Sequence, residues 1–318
     1  MSTSQTAAPP SEVGVVVDDV ARSFGAVHAV RSVSFEAFPG QVTGLVGPNG
    51  SGKTTLLLML ATLLVPDRGT IRIGDYDPVA QSRAVRGLLG WMPDVLGSWS
   101  ALSVRASLEL TGRLYGLSRA AASIRAEELI ALADLAPLAN QATKVLSRGQ
   151  KQRLSLARAL VHDPRVLLLD EPASGLDPGA RIALRVLLKR LAAEGRTIIV
   201  SSHVLAELDE LADRAVFLEA GSSVSEDRVE AAKRTERGWR IRALDASGLY
   251  RELIASGIDA ASIVREPQGF VVPLAGEDRA AELLAALVKA GVPVSSFAPS
   301  VGDLEHTFLD LNPGEAAR

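Results

Sequence analysis

The sequence predicts an α/β protein built on a parallel sheet covered by helices on both faces, followed by a second, small α+β domain. Three observations carry this. Wholly apolar strand-like runs, "VTGLVG", "RVLLLDEP" and "RTIIVSSH", alternate with helical stretches, and strands apolar on both faces are those buried in parallel sheets. A glycine-rich loop, "GPNGSGKTT" at 47–55, joins one such strand to a helix. After Gly221 the pattern changes to a charged stretch and then to shorter, amphipathic elements.

Taken in order, residues 1–12 ("MSTSQTAAPPSE") lack a basic start and an apolar core, so they read as a frayed tail and not as a secretory signal. Residues 13–46 read as three strands: "VGVVVDDV", "AVRSVSFEAF" and "VTGLVG". A helix follows over about 53–64. Its run "LLLMLATLLV" is ten residues long, too short to cross a bilayer, so it is expected as a buried helix. "PDRGTIRIGDYD" reads as a turn and a strand. From 103 to 140 the period is helical, in "VRASLELTGRLYGL" and "RAEELIALADLAPLA", which defines a helical subdomain over about 95–145. The polar "LSRGQ" then opens another helix. The strand "RVLLLDEP", the amphipathic helix "RIALRVLLKRLAAEG", the strand "RTIIVSSH", the helix "LAELDELAD" and the extended "RAVFLEAG" complete a domain of residues 13–221. The remainder, 222–318, begins with the charged "EDRVEAAKRTERGWRIR", a solvated linker or surface helix. The strand-like "WRIRAL", helical "SGLYRELIAS", strands "SIVRE" and "GFVVPL", helix "EDRAAELLAALVKAG", strand "PVSSFAP" and helix "GDLEHTFLDL" follow it.

Composition narrows the function. With 47 % hydrophobic residues the chain can bury a sizeable core, and a net charge of −3 gives no basic footprint for a nucleic-acid partner. Cysteine is absent, which excludes disulfides and thiolate metal sites and suits a reducing compartment.

The loop "GPNGSGKT" fits G-x-x-x-x-G-K-[ST] through Gly47, Gly52, Lys53 and Thr54. Its glycines let consecutive backbone N–H groups converge on phosphate oxygens, and the helix start adds its dipole. Lys53 reaches the β- and γ-phosphates and Thr54 can hold Mg²⁺. The strand "RVLLLDEP" ends in Asp170 and Glu171. Mg²⁺ takes oxygen ligands, which suits Asp170; Glu171 can then face the γ-phosphate and polarise the attacking water. His203 ends "TIIVSSH", a strand expected beside that of Asp170, where an imidazole can hydrogen-bond the γ-phosphate. Phe24, in a chain with 4 % aromatic residues, is either a stacking platform for adenine or a core phenylalanine.

Over about residues 13–221 this assembly resembles the ATP-binding subunit of ABC transporters, a P-loop NTPase of the ABC ATPase type. "GPNGSGKTT" resembles the family's Walker A loop, "LSRGQ" its signature loop, "VLLLDEP" its Walker B strand, "SGLD" its D-loop and "SSH" its switch histidine. The resemblance implies an ATPase whose cofactors are ATP and Mg²⁺. Gly47, Asn49, Gly50, Ser51, Gly52, Lys53, Thr54 and Thr55 would wrap the phosphates. Phe24 would stack on adenine, Glu171 act as general base and His203 touch the γ-phosphate. It further implies that Ser147, Gly149 and Gln150 complete the ATP site of a second ATPase subunit, in a homodimer, and that Asp177 of the D-loop is a further ATP-binding residue. Three positions depart from the family's commonest pattern. Arg148 stands where glycine is usual and is expected to be tolerated; Phe24 replaces tyrosine but keeps the π-face; and Asp94 stands where the Q-loop glutamine is expected, as a metal contact and joint to a permease. "VLGSWSAL", 95–102, with Trp99, is either part of a groove for a permease helix or local core.

The C-terminal domain resembles, more loosely, the extension of ATPases paired with ABC-2-type exporters. The implied partner is a separate transmembrane permease, and the implied location is the cytoplasmic side of the membrane. A soluble ABC-type ATPase acting on a macromolecule is the alternative. Relatives of that kind carry two cassettes or long coiled-coil insertions, whereas this chain has one cassette and no heptad run.

Overall fold

The computed structural model describes residues 14–312 except 96, 98, 99 and 268. The expected tail at 1–12 and the Trp99 part of the expected groove lie outside the described residues. The chain divides into two compact units that part between Val224 and Ser225.

The first unit contains β1 (Val15–Phe24), β2 (Val27–Ala37), β3 (Val42–Val46), α1 (Lys53–Leu60), β4 (Arg68–Ile73), α2 (Ser82–Leu88), β5 (Leu89–Met92), α3 (Val104–Leu114), α4 (Arg119–Leu132), α5 (Arg148–Ala159), β6 (Val166–Asp170), α6 (Pro178–Ala193), β7 (Thr197–Ser201), α7 (Leu205–Leu211), β8 (Arg214–Glu219) and β9 (Ser222–Ser223). Its nine strands form one sheet in the order β4-β1-β2-β9-β8-β3-β7-β6-β5.

The stretch from β8 through β3, β7 and β6 to β5 is parallel, as the apolar runs predict. Every residue of β3, β6 and β7 is buried. The other end is a departure from the expected parallel sheet, because β1 pairs antiparallel with β2 and with β4. The two-residue link Gly25–Ala26, with Gly25 at φ +59, closes β1–β2 as a hairpin, and a hairpin can only be antiparallel. The four-residue β5 and the short α2 are elements the sequence pattern did not reveal. A core of Val15, Val33, Leu45, Leu56, Met59, Ile73, Leu168 and Ile199 runs between the sheet and α1.

The second unit holds α8 (Glu226–Lys233), β10 (Glu236–Ala243), α9 (Ala246–Ala255), β11 (Val264–Glu266), β12 (Gly269–Ala275), α10 (Gly276–Lys289), β13 (Val294–Pro299) and α11 (Asp303–Leu311). Its sheet order is β11-β12-β10-β13, and all the pairs are antiparallel. From β10 to β13 this is the β-α-β-β-α-β split arrangement. Leu249 and Leu253 of α9 and Leu283 and Leu287 of α10 close its core over Trp239, Ile241 and Val272.

Candidate active site

The site gathers at the C-terminal ends of the parallel strands, where open α/β sheets bind their ligands. The loop from Gly47 to Gly52 leaves the buried end of β3 and enters α1 at Lys53. Gly52 is needed there: its φ is +101, and a Cβ would lie 2.5 Å from the carbonyl oxygen of Ala29. Lys53 Nζ donates to the carbonyls of Gly47 and Pro48, at 2.6 and 3.0 Å, so its ammonium lies against the loop. Ser51 is buried, and its Oγ has no hydrogen-bond partner among the described residues. A curled loop with a held ammonium and an unsatisfied hydroxyl suits a phosphate chain. Asn49 and Gly50 lie exposed at its crest, and Thr54 and Thr55 follow on the first turn of α1.

Asp170 closes β6. It is buried, and its two oxygens accept from Thr54 Oγ1, at 3.1 Å, and from Ser201 Oγ. Asp170 and Ser201 are paired across β6 and β7, so sheet register sets this contact. The sequence reading did not single out Ser201. Among the described residues no three His, Cys, Asp or Glu side chains cluster as a metal cage. Mg²⁺ needs none, because it is commonly held by one or two protein oxygens, substrate phosphates and water. The Thr54 hydroxyl and the Asp170 carboxylate, side by side at the phosphate loop, fit that demand.

Glu171 follows with φ +52, an uncommon backbone for a side chain of its size. Its N–H donates to the carbonyl of Ser201 at 3.2 Å, and its own carbonyl accepts from Gln152 Nε2 at 2.7 Å. This turns the carboxylate toward His203, whose Nδ1 donates to Oε2 at 2.7 Å. Burial pushes the Glu171 carboxyl above the usual carboxylate range; the His203 hydrogen bond and charge oppose that, Asp170 adds to it and Lys53 opposes it. A carboxylate with raised proton affinity, held by an imidazole, is suited to general-base work. The structure thus brings Lys53, Thr54, Asp170, Glu171 and His203 into one cluster.

Phe24 ends β1 with its side chain half exposed, and the Arg22 guanidinium covers its ring at 5.0 Å. Phe24 therefore is not a core residue. Arg22 is itself fixed by Asp67 Oδ1 at 2.7 Å and by the carbonyl of Val65 at 3.1 Å.

The remaining expected site residues are exposed or take up helix-capping and loop contacts of their own. Asp94 is exposed, two residues beyond β5, and makes no hydrogen bond to the Thr54–Asp170 pair. Ser147 is the exposed N-cap of α5. It forms a capping box with Gln150: Gln150 N donates to Ser147 Oγ at 3.3 Å, and Ser147 N donates to Gln150 Oε1 at 2.9 Å. Gly149 lies against the backbone of Gly175. Asp177 caps α6, accepting from Ala180 N at 2.9 Å, and that bond chiefly holds its carboxyl below the usual range. Arg148, the departure from the family pattern, turns to Ser174 Oγ at 2.7 Å, a contact that nothing in the sequence announces.

A phosphate loop, a hydroxyl–carboxylate pair and a half-buried carboxylate backed by histidine define a nucleotide triphosphatase. Comparison with known proteins makes this specific: the ABC transporter family profile matches residues 30–174. Over 304 residues the chain is 32 % identical to the daunorubicin resistance ATP-binding protein DrrA3 of Streptomyces coeruleorubidus, covering 95 % of this chain and 96 % of that one. It is 38 % identical over 227 residues to a Nod factor export ATP-binding protein I of Paraburkholderia xenovorans, covering 71 % and 75 %. Among solved structures, a dimeric ATP-binding cassette in a post-hydrolysis state with ADP and Pi superposes with a TM-score of 0.62 at 26 % identity, covering 66 % of this chain and 97 % of that one. The chain belongs to the ATP-binding subunits of ABC transporters, and it is an ATPase of the ABC type.

Proposed function

We infer that this chain is the ATP-hydrolysing subunit of an ABC exporter, which works as a homodimer closed around two ATP molecules and drives a separate membrane permease from the cytoplasmic side. The observation that carries the reading is the division of the site residues. Lys53, Asp170, Glu171 and His203 converge. The Ser147 loop, by contrast, stands exposed at a helix N-terminus, which makes it a candidate second phosphate cradle. Two copies related by a two-fold axis would let each Ser147 meet the partner's ATP. The dimeric cassette among the structural relatives supports that arrangement. The names of the relatives, export and drug-resistance proteins, support export. Among the described residues no helix is long and apolar enough to cross a membrane, so the pathway would belong to another chain.

In this reading Lys53 and the loop N–H groups bind the β- and γ-phosphates. Thr54 and Asp170 would hold Mg²⁺, which would supply charge neutralisation to the phosphates. Asp94 would serve as a further metal contact and as the joint to the permease. Phe24, braced by Arg22, stacks on adenine. Glu171 accepts a proton from the attacking water. His203 holds Glu171 through Nδ1, which leaves Nε2 for the γ-phosphate; donation there requires a doubly protonated ring. Asp177 acts through the backbone, by fixing the start of α6 next to the D-loop.

The test is purification with the permease. The tagged chain, drawn from a detergent extract, should bring down a polytopic membrane protein and show ATPase activity that rises with it. Recovery of ribosomes, nucleic acid or a soluble scaffold in its place would favour the alternative.

A further inference from the structure

We propose that Arg148 is a positioning residue that straps the loop offered to the partner's ATP to the segment carrying the subunit's own base, so that the two move as one body. The proposal rests on the dimer reading above. Its observations lie on one face of α5. Arg148 Nη2 donates to Ser174 Oγ at 2.7 Å. The stem of Arg148 lies flat on the backbone of Gly175: a Cβ there, at φ +73, would stand 2.7 Å from Arg148 Cδ and 3.0 Å from Cγ and Nε. One residue on, a Cβ at Gly149 would lie 3.3 Å from the Gly175 carbonyl and 3.4 Å from Leu176 Cδ2. One turn on, and so on the same face, the buried Gln152 gives its Nε2 to the Glu171 carbonyl at 2.7 Å.

That carbonyl also accepts from Ser174 N at 3.1 Å, which closes residues 171–174 into a turn. A pull on Ser174 therefore reaches Glu171 through a hydrogen-bonded turn, not through slack chain. Glu171 needs such restraint, since its φ of +52 is not one its side chain favours. A glycine at position 148 would leave only the Gln152 link and the Gly149 contact. The arginine makes the first turn of α5 and the 171–176 segment a single unit, so the seating of Ser147 on one ATP is tied to the placing of Glu171 on the other.

The rival role for an arginine in this loop is direct contact with the partner's phosphate. A double-mutant cycle on the full chain separates them, using Arg148→Ala, Ser174→Ala and the double variant, with kcat, KM for ATP and ATP-driven association in a Glu171→Gln background. The strap predicts that either single change lowers kcat roughly tenfold, the loss of one charge-assisted hydrogen bond. It also predicts that the double variant falls no further, and that KM and association change little. Arg148 is exposed and Ser174 only partly buried, so folding should survive; a matched Tm for all variants checks it. A silent Ser174→Ala beside a damaging Arg148→Ala, with weakened association, would overturn the strap in favour of phosphate contact. Additive losses would overturn it as well. If the unsubstituted chain and its Glu171→Gln variant show no ATP-driven association, the dimer reading fails, and the strap falls with it.

Discussion

At the residue scale, Glu171→Gln should leave ATP binding intact and slow turnover about 10²–10⁴-fold, the usual contribution of a positioned general base. ATP affinity and phosphate release measured on one preparation check it, and wild-type turnover would remove Glu171 from the chemistry. The pH dependence follows from the burial of the same carboxyl. As pH falls through its pKa, Glu171 takes up a proton and can no longer accept one from water, so kcat declines. Because burial raises that pKa, the acid limb should lie above the range of an ordinary carboxylate. His203 opposes the shift by donating to Glu171. In His203→Ala the residual activity should therefore show its acid limb at still higher pH; a limb that does not move would break the link. Lys53, Thr54, Asp170 and Glu171 could be singled out in the sequence as one cluster because phosphate and Mg²⁺ chemistry asks for those residue types at fixed local spacing. Ser201, Gln152 and Arg22 were not legible, because their contacts depend on strand register and helix facing. No local pattern encodes a serine opposite Asp170 on the next strand.

At the scale of elements, Ser147, the N-cap of α5, has a second duty in the proposed dimer. Ser147 caps the helix, so Ser147→Ala should cost about 0.5–2 kcal/mol of stability. Ser147→Asp preserves a capping oxygen, so its unfolding midpoint should stay near wild type; yet a carboxylate facing the partner's phosphates should abolish ATP-driven association. Thermal unfolding and light scattering on the two variants separate cap from phosphate contact, and normal association of the aspartate variant would deny the second duty. The apolar runs of β3, β6 and β7 were plain in the sequence because burial on both faces leaves no polar position. The strand β5 was hidden because four residues, one of them glycine, give too short a pattern. The antiparallel pairing of β1, β2 and β4 was hidden because it depends on the link at Gly25–Ala26 and on a distant return to the edge.

At the scale of the whole molecule, the residues proposed to handle phosphate all lie in the unit that ends at Val224. A chain truncated there should bind ATP as the full chain does, since β9 remains to pair with β2 and β8. Equilibrium binding by the folded truncation checks this, and complete loss would mean that the second unit helps to build the site. The order of elements in that second unit was readable along the chain, but its split sheet was not, because β10 finds both neighbours far away in sequence. In the proposed dimer each ATP lies between Lys53 of one subunit and Ser147 of the other. Lys53→Ala and Ser147→Arg are prepared separately, shown to be inactive, and mixed in equal amounts under conditions where subunits exchange. A mixed dimer then holds one site with both lesions and one with neither. Half the dimers are mixed, so ATPase should return to roughly a quarter of wild type if the sites turn over independently. No recovery of activity or of ATP-driven association, with exchange demonstrated, would contradict the account.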